Sequence, residues 1–141
     1  NNSKIMPIGG RQMNTKLTKS EKEVMELLWE KGEPLTASEI VKFSAQKDWK
    51  PSYIHIMINS LLDKGVIITH NFKKTTKNYA RAFIPSLTKD QWIVASIREN
   101  YPTKKDVLRL FTTLIEEEKD PDVLDYYAEQ LNQRRRTLKF S

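Results

Sequence analysis

The chain contains no cysteine. Disulfide frameworks, cysteine-ligated zinc and thiol catalysis are thereby excluded. Its two histidines, His55 and His70, are too few for a histidine-rich metal site. No run approaches the roughly 18 apolar residues of a membrane-spanning helix. The start, Asn1 to Gln12, lacks the apolar segment of a signal peptide, so a soluble cytoplasmic protein is expected. Paired carboxylates, a glycine-rich phosphate loop and a Ser/His arrangement are also missing. No enzymatic activity, no cofactor and no metal are therefore expected.

What the chain does have is positive charge. Its 141 residues, enough for one ordinary domain or two small ones, carry 24 Lys+Arg against 18 Asp+Glu, a net +6. Residues 1–12 hold Lys4 and Arg11, and residues 87–141 hold 10 charges of each sign. Residues 49–81 hold Lys50, Lys64, Lys73, Lys74, Lys77 and Arg81 against Asp63 alone, a local net of +5. Such a surplus is either plain solvated surface or the footprint of an anionic partner.

Three Thr-x-x-Glu/Gln spacings mark helix starts: Thr18/Glu21, Thr36/Glu39 and Thr88/Gln91. In this capping box each side chain satisfies a backbone N–H that the first helical turn leaves unpaired. The first predicted helix shows Val24, Leu27 and Leu28 and stops at Gly32. The second starts at Thr36, with Leu35 and Ile40 at staple positions, and runs to about Ala45. The third opens at Pro51, whose missing N–H is harmless in a first turn, and closes at Lys64-Gly65.

The period then changes. Val66 to His70 reads as a strand, Asn71 to Asn78 as a polar, basic tip, and Tyr79 to Ile84 as a second strand ended by Pro85. Further helices follow at Thr88 to Asn100, with Leu87 and Trp92 as a staple, at Lys104 to Lys119 and at Asp122 to Leu138. The expected fold is mainly α with a small β-hairpin. Residues 1–12 read as a disordered leader or an expression scar. Residues 13–86 read as a winged helix-turn-helix domain for DNA, and residues 87–141 as a helical dimerisation domain.

At about 100° per residue, Ile54, Met57, Ile58 and Leu61 of the third helix face the core. Ser52, Ile56, Asn59, Ser60 and Asp63 face away, with Tyr53 and His55 at the start of that exposed face. In a helix-turn-helix the N-terminal residues of this helix contact the bases. The candidate DNA-binding residues are Lys50, Ser52, Tyr53, His55, Ile56, Asn59, Lys73, Lys74 and Lys77. Ile56 suits either a thymine methyl or packing on the wing or the second domain. Asn59 suits adenine or an ordinary surface position. The three hairpin lysines suit phosphates or a solvated tip.

In the last helices Leu108, Phe111, Leu114, Ile115, Leu124, Tyr127 and Leu131 are candidate dimerisation residues, because so short a helical segment is marginal without a partner. Folding back onto the winged helix is the alternative. Arg134-Arg135-Arg136 reads either as a favourable end to the last helix or as a solvated tail. A winged-helix protein-interaction module and a ligand-sensing regulator are the other functional readings.

Ordered motifs along the chain resemble the penicillinase-repressor family of winged-helix transcriptional repressors. They are Leu17-Thr18 with Glu21, Glu23, Val24-Met25 and Leu28-Trp29, then Leu35-Thr36-Ala37 with Glu39-Ile40-Val41. Trp49 with Pro51, Asn59-Ser60-Leu61, Lys64-Gly65-Val66, Tyr79, Pro85 and Leu114-Ile115 with Glu116-Glu117-Glu118 complete the set. The likeness covers about residues 16–136. It implies a homodimer on a palindromic double-stranded operator, controlling β-lactam resistance or copper homeostasis. In the β-lactam branch it also implies a membrane sensor-protease pathway that cleaves the dimerisation region.

Departures from the family pattern are concentrated where function lies. Ser52, Tyr53, His55 and Ile56 stand where the family usually has Lys-Thr, then a basic residue and Thr, and Ser60 stands for a usual Arg. Thr113-Leu114 stands near the family's Asn-Phe cleavage pair. The copper branch's C-terminal cysteines are missing, which argues against copper sensing.

Overall fold

The computed structural model describes residues 13–140. The leader expected over residues 1–12 lies outside the described residues. In chain order the elements are α1 (Lys19–Lys31), β1 (Leu35–Thr36), α2 (Ala37–Phe43), a 3-10 turn (Pro51–Tyr53), α3 (Ile54–Asp63), β2 (Ile67–Lys74), β3 (Tyr79–Pro85), α4 (Lys89–Asn100), α5 (Lys104–Glu117) and α6 (Pro121–Lys139). The fold is mainly α with one small antiparallel sheet, on the winged-helix plan.

Local chemistry sets the helix ends. Glu21 N–H donates to Thr18 Oγ1 at 3.1 Å, and Thr18 N–H donates to Glu21 Oε1 at 2.8 Å. The reciprocal pair recurs between Thr36 and Glu39 at 3.2 and 2.9 Å, and between Thr88 and Gln91 at 3.0 and 2.9 Å. Gly32 ends α1 at φ 65°, a left-handed conformation that costs glycine little. The residues over which helix two was expected to continue, Ser44 and Ala45, instead leave the helix at Ser44.

The sheet differs from the expected hairpin in two ways. Leu35 and Thr36 pair with Phe83 and Ala82 as a third, edge strand, so the order is β1-β3-β2. The strand β2 also continues through Lys74, paired with Tyr79, so the tip shrinks to residues 75–78. The ladder slips between Thr69 and Asn71, a bulge that leaves His70 as the extra residue.

The core joins helices to sheet. Val24, Met25 and Leu28 of α1, Ile40 of α2, and Ile54, Met57, Ile58 and Leu61 of α3 are buried against Leu35, Val66, Ile67 and Phe83. The expected inward row of α3 is thus the observed one. Met13 closes one side of this core, and Asn14 N–H donates to Lys64 O at 2.9 Å.

The first compact unit runs to Asn100, beyond the boundary expected at residue 86, because α4 packs on the winged helix. The Trp29 and Trp92 rings lie 5.8 Å apart. Trp29 Nε1 donates to Leu87 O at 3.0 Å and Trp92 Nε1 to Thr15 O at 3.1 Å, while Thr15 Oγ1 donates to Glu99. The second unit, from Tyr101, holds α5 and α6. Thr103 caps α5 and Asp120 caps α6, whose first residue is Pro121. Neither helix has a buried residue.

Candidate nucleic-acid interface

The 3-10 turn sets the start of the reading surface. Tyr53 N–H donates to Lys50 O at 2.9 Å, and α3 proper begins one residue later. Burial of Ile54, Met57, Ile58 and Leu61 turns the opposite row of α3 outward. Lys50, Ser52, Tyr53, His55, Ile56 and Asn59 are all exposed. Ile56 is 59% exposed, so more than half of its surface is left uncovered. Ser60 is different: it is half-buried, and its hydroxyl bonds Glu21.

Two cations of the basic stretch are paired within the domain, one largely buried and one at its surface. Lys64 Nζ donates to Glu21 Oε1 at 2.5 Å, and the Glu21 side chain is only 5% exposed. Burial raises the Glu21 pKa, but bonds from Lys64, Ser60 and the Thr18 N–H outweigh it and hold it below the ordinary carboxylate value. Lys73 Nζ lies 3.1 Å from Glu39 Oε1 and 4.0 Å from Glu33 Oε1. The Thr36 N–H, and after it Lys73, likewise lower the Glu39 pKa. Lys73, a candidate phosphate ligand, is thus paired with the first turn of α2 while its side chain stays one-third exposed. Sequence spacing could not reveal this, because Glu39 is 34 residues away.

Residues opposite one another in an antiparallel pair share a face. Lys73 and Ala80 share the face that reaches Glu39. The adjacent pairs, Phe72 with Arg81 and Lys74 with Tyr79, take the other face. Phe72 is 59% exposed and Tyr79 is 69% exposed. Arg81 also lies over the Phe83 ring, 5.3 Å from its centroid. Phe72, Tyr79 and Arg81 were not among the candidate site residues. The alternation of large side chains at Tyr79, Arg81 and Phe83 was the available signal, but a polar tip drawn from Asn71 hid Phe72. Lys74 and Lys77 are exposed and make no ion pair among the described residues.

In the second unit, Leu108, Phe111, Leu114, Ile115 and Leu131 are exposed, and Leu124 and Tyr127 are half-buried. Thr113, beside Leu114, sends its hydroxyl back to Arg109 O at 3.0 Å. No helix among the described residues is long and apolar enough to cross a membrane.

Comparison with known proteins gives one likeness in structure and one in sequence. The crystal structure of the adhesin competence repressor from Streptococcus pyogenes is similar over 85% of this chain and 81% of that chain, at 17% identity and a TM-score of 0.39. No curated protein matches the chain. The sequence model of the penicillinase repressor family matches residues 17–119, from the residue before the α1 cap to just beyond the end of α5. That stretch includes α3, the wing, α4 and α5, and is well over half of the chain. The chain belongs to the penicillinase repressor family and is a transcriptional repressor.

Proposed function

We propose that the protein represses transcription as a homodimer, with the N-terminal half of each α3 in the major groove of a palindromic operator. The observation that carries this reading is the two-sided character of α3. One row holds the core, while the other presents His55, Ile56 and Asn59, after Ser52 of the 3-10 turn, to solvent with no side-chain partner among the described residues. Lys50 precedes the helix, and Lys74, Lys77 and Arg81 sit on the wing, where cations would meet phosphates. Lys73 is left out of that set because Glu39 neutralises it.

The same reading gives α5 and α6 the task of pairing two copies through Leu108, Phe111, Leu114, Ile115, Leu124, Tyr127 and Leu131. Their apolar rows stand open to solvent, and residues 87–141 carry no net charge to oppose self-association. A two-fold dimer would place its α3 helices in successive major grooves, roughly 34 Å or a multiple apart. A sensor-protease partner would need a bond other than the family's Asn-Phe pair, since Thr113-Leu114 stands near that position.

The test is selection of bound duplexes from a random-sequence pool by the full chain, then titration of the winner at increasing salt. A palindromic consensus is expected. If Lys50, Lys74 and Lys77 of both copies meet six phosphates, log K should fall against log salt with a slope of about −5. A salt-independent complex, or a pool with no preferred sequence, would overturn the proposal.

A further inference from the structure

The exposed row of α3 is unusual in what it offers to a base. Ile56, Asn59 and Asp63 of α3 follow one another at spacings of three and four on the row opposite the buried one, and Ser52 of the preceding 3-10 turn stands four residues before Ile56. All four are exposed. Between Lys50 and Asp63 there is no Lys or Arg at all, and Asp63 stands at the far end of the line. A carboxylate at the C-terminal end, added to the negative end of the helix dipole, repels phosphate there. The end that can approach DNA closely is the one bearing Ser52, Tyr53, His55 and Ile56.

A reading helix without Arg or Lys cannot make the bidentate cation contact to guanine that is the commonest specific one. It is left with hydroxyl, amide, imidazole and apolar contacts. Only thymine presents an apolar group in the major groove, its C5 methyl. Ile56 is the apolar member of the outward line, in the first turn of α3, and the winged helix leaves 59% of its surface uncovered. A lone exposed isoleucine needs no explanation on an ordinary surface. At the centre of a base-reading row it has a chemically specific counterpart.

We propose that Ile56 is a specificity-determining residue that packs on the C5 methyl of a thymine in each operator half-site. This rests on the reading of α3 as the groove-entering helix.

The experiment uses the full chain and the duplex recovered by selection. Each thymine is replaced in turn by deoxyuridine, which removes the methyl alone. At one thymine per half-site, affinity should fall about fourfold, and about fifteenfold when both half-sites are changed, as ~0.8 kcal/mol per buried methyl gives. Ile56→Ala should bind the thymine and uracil duplexes equally, and should unfold at the wild-type temperature because the side chain is exposed. The inference is overturned if the wild type binds every uracil duplex as tightly as thymine. It is overturned equally if Ile56→Ala still tells the two apart, for then another residue holds the methyl. A pool with no preferred sequence would instead sink the repressor reading on which it stands. A clear consensus without methyl dependence sinks this inference alone.

Discussion

Between Met13 and Asn100 the chain buries a core of apolar side chains, while from Tyr101 to Phe140 it buries none. The first unit has a core that touches every helix from α1 to α4 and all three strands. The second has two well-capped helices with Leu108, Phe111, Leu114 and Leu131 more than half exposed. Capping and periodicity are therefore not what separates them, since both units have both. Burial is, and burial supplies most of the stability of a helix in a protein. A unit that forms helices but buries no apolar row leaves that row available to another surface. In the proposed dimer that surface is a second copy.

This contrast can be broken directly. Leu131→Asp or Phe111→Asp should give monomers in sedimentation, with operator affinity reduced by about two orders of magnitude or more. The unfolding of the first unit should be unaltered. An intact dimer would refute the assignment of α5 and α6. The reciprocal change, Lys64→Ala, leaves the Glu21 carboxylate buried without its cation. It should cost the first unit about 3 kcal/mol in denaturant unfolding, with dimerisation unchanged. A loss below about 1 kcal/mol would mean that Ser60 and the Thr18 N–H suffice for Glu21.

The wing lysines sharpen the comparison within the first unit. Replacing both Lys74 and Lys77 with Ala removes four phosphate contacts from a dimer. The salt slope should flatten by about 3.6, with weaker binding on all sequences. Lys73→Ala should barely change the slope, because that ammonium already serves Glu39. Equal effects from the two changes would show that the Lys73 pair opens on DNA.

The smallest effect expected is on acid stability. Glu21 and Glu39 titrate below the ordinary glutamate value of 4.5 in the folded state. Their contribution is thus present above that value and is lost as pH falls through the lower, folded values. Glu21→Gln should reduce the loss of first-unit stability between pH 5 and about 3. An identical pH profile would show that this carboxylate is not coupled to folding.

The positive charge shows how far sequence alone reaches. The excess over residues 49–81 was visible as a count, and its concentration around α3 and the wing was real. Its division into ion-paired and unpaired cations was not visible. Lys64 and Lys73 look like Lys74 and Lys77 until the chain folds and brings Glu21 and Glu39 beside them. The strand β1 was hidden for a related reason. Two residues have no period to detect, and Leu35 and Thr36 had an adequate local role as staple and cap of α2. Phe72 was lost to a loop because its polar neighbours outvoted it, though pairing with Arg81 extends the strand.

Sequence by itself determined the capping-box helix starts, the Gly32 stop, the inward row of α3 and the order of the helices and the two longer strands. Those depend on contacts within one or two turns, which a linear pattern records. Tertiary structure decided which lysines remain free, which strand edges pair, and that α4 joins the winged helix through Trp29, Trp92, Thr15 and Glu99. Those choices rest on partners dozens of residues apart, and a charge or an indole N–H is satisfied by whatever folding brings within about 3 Å of it.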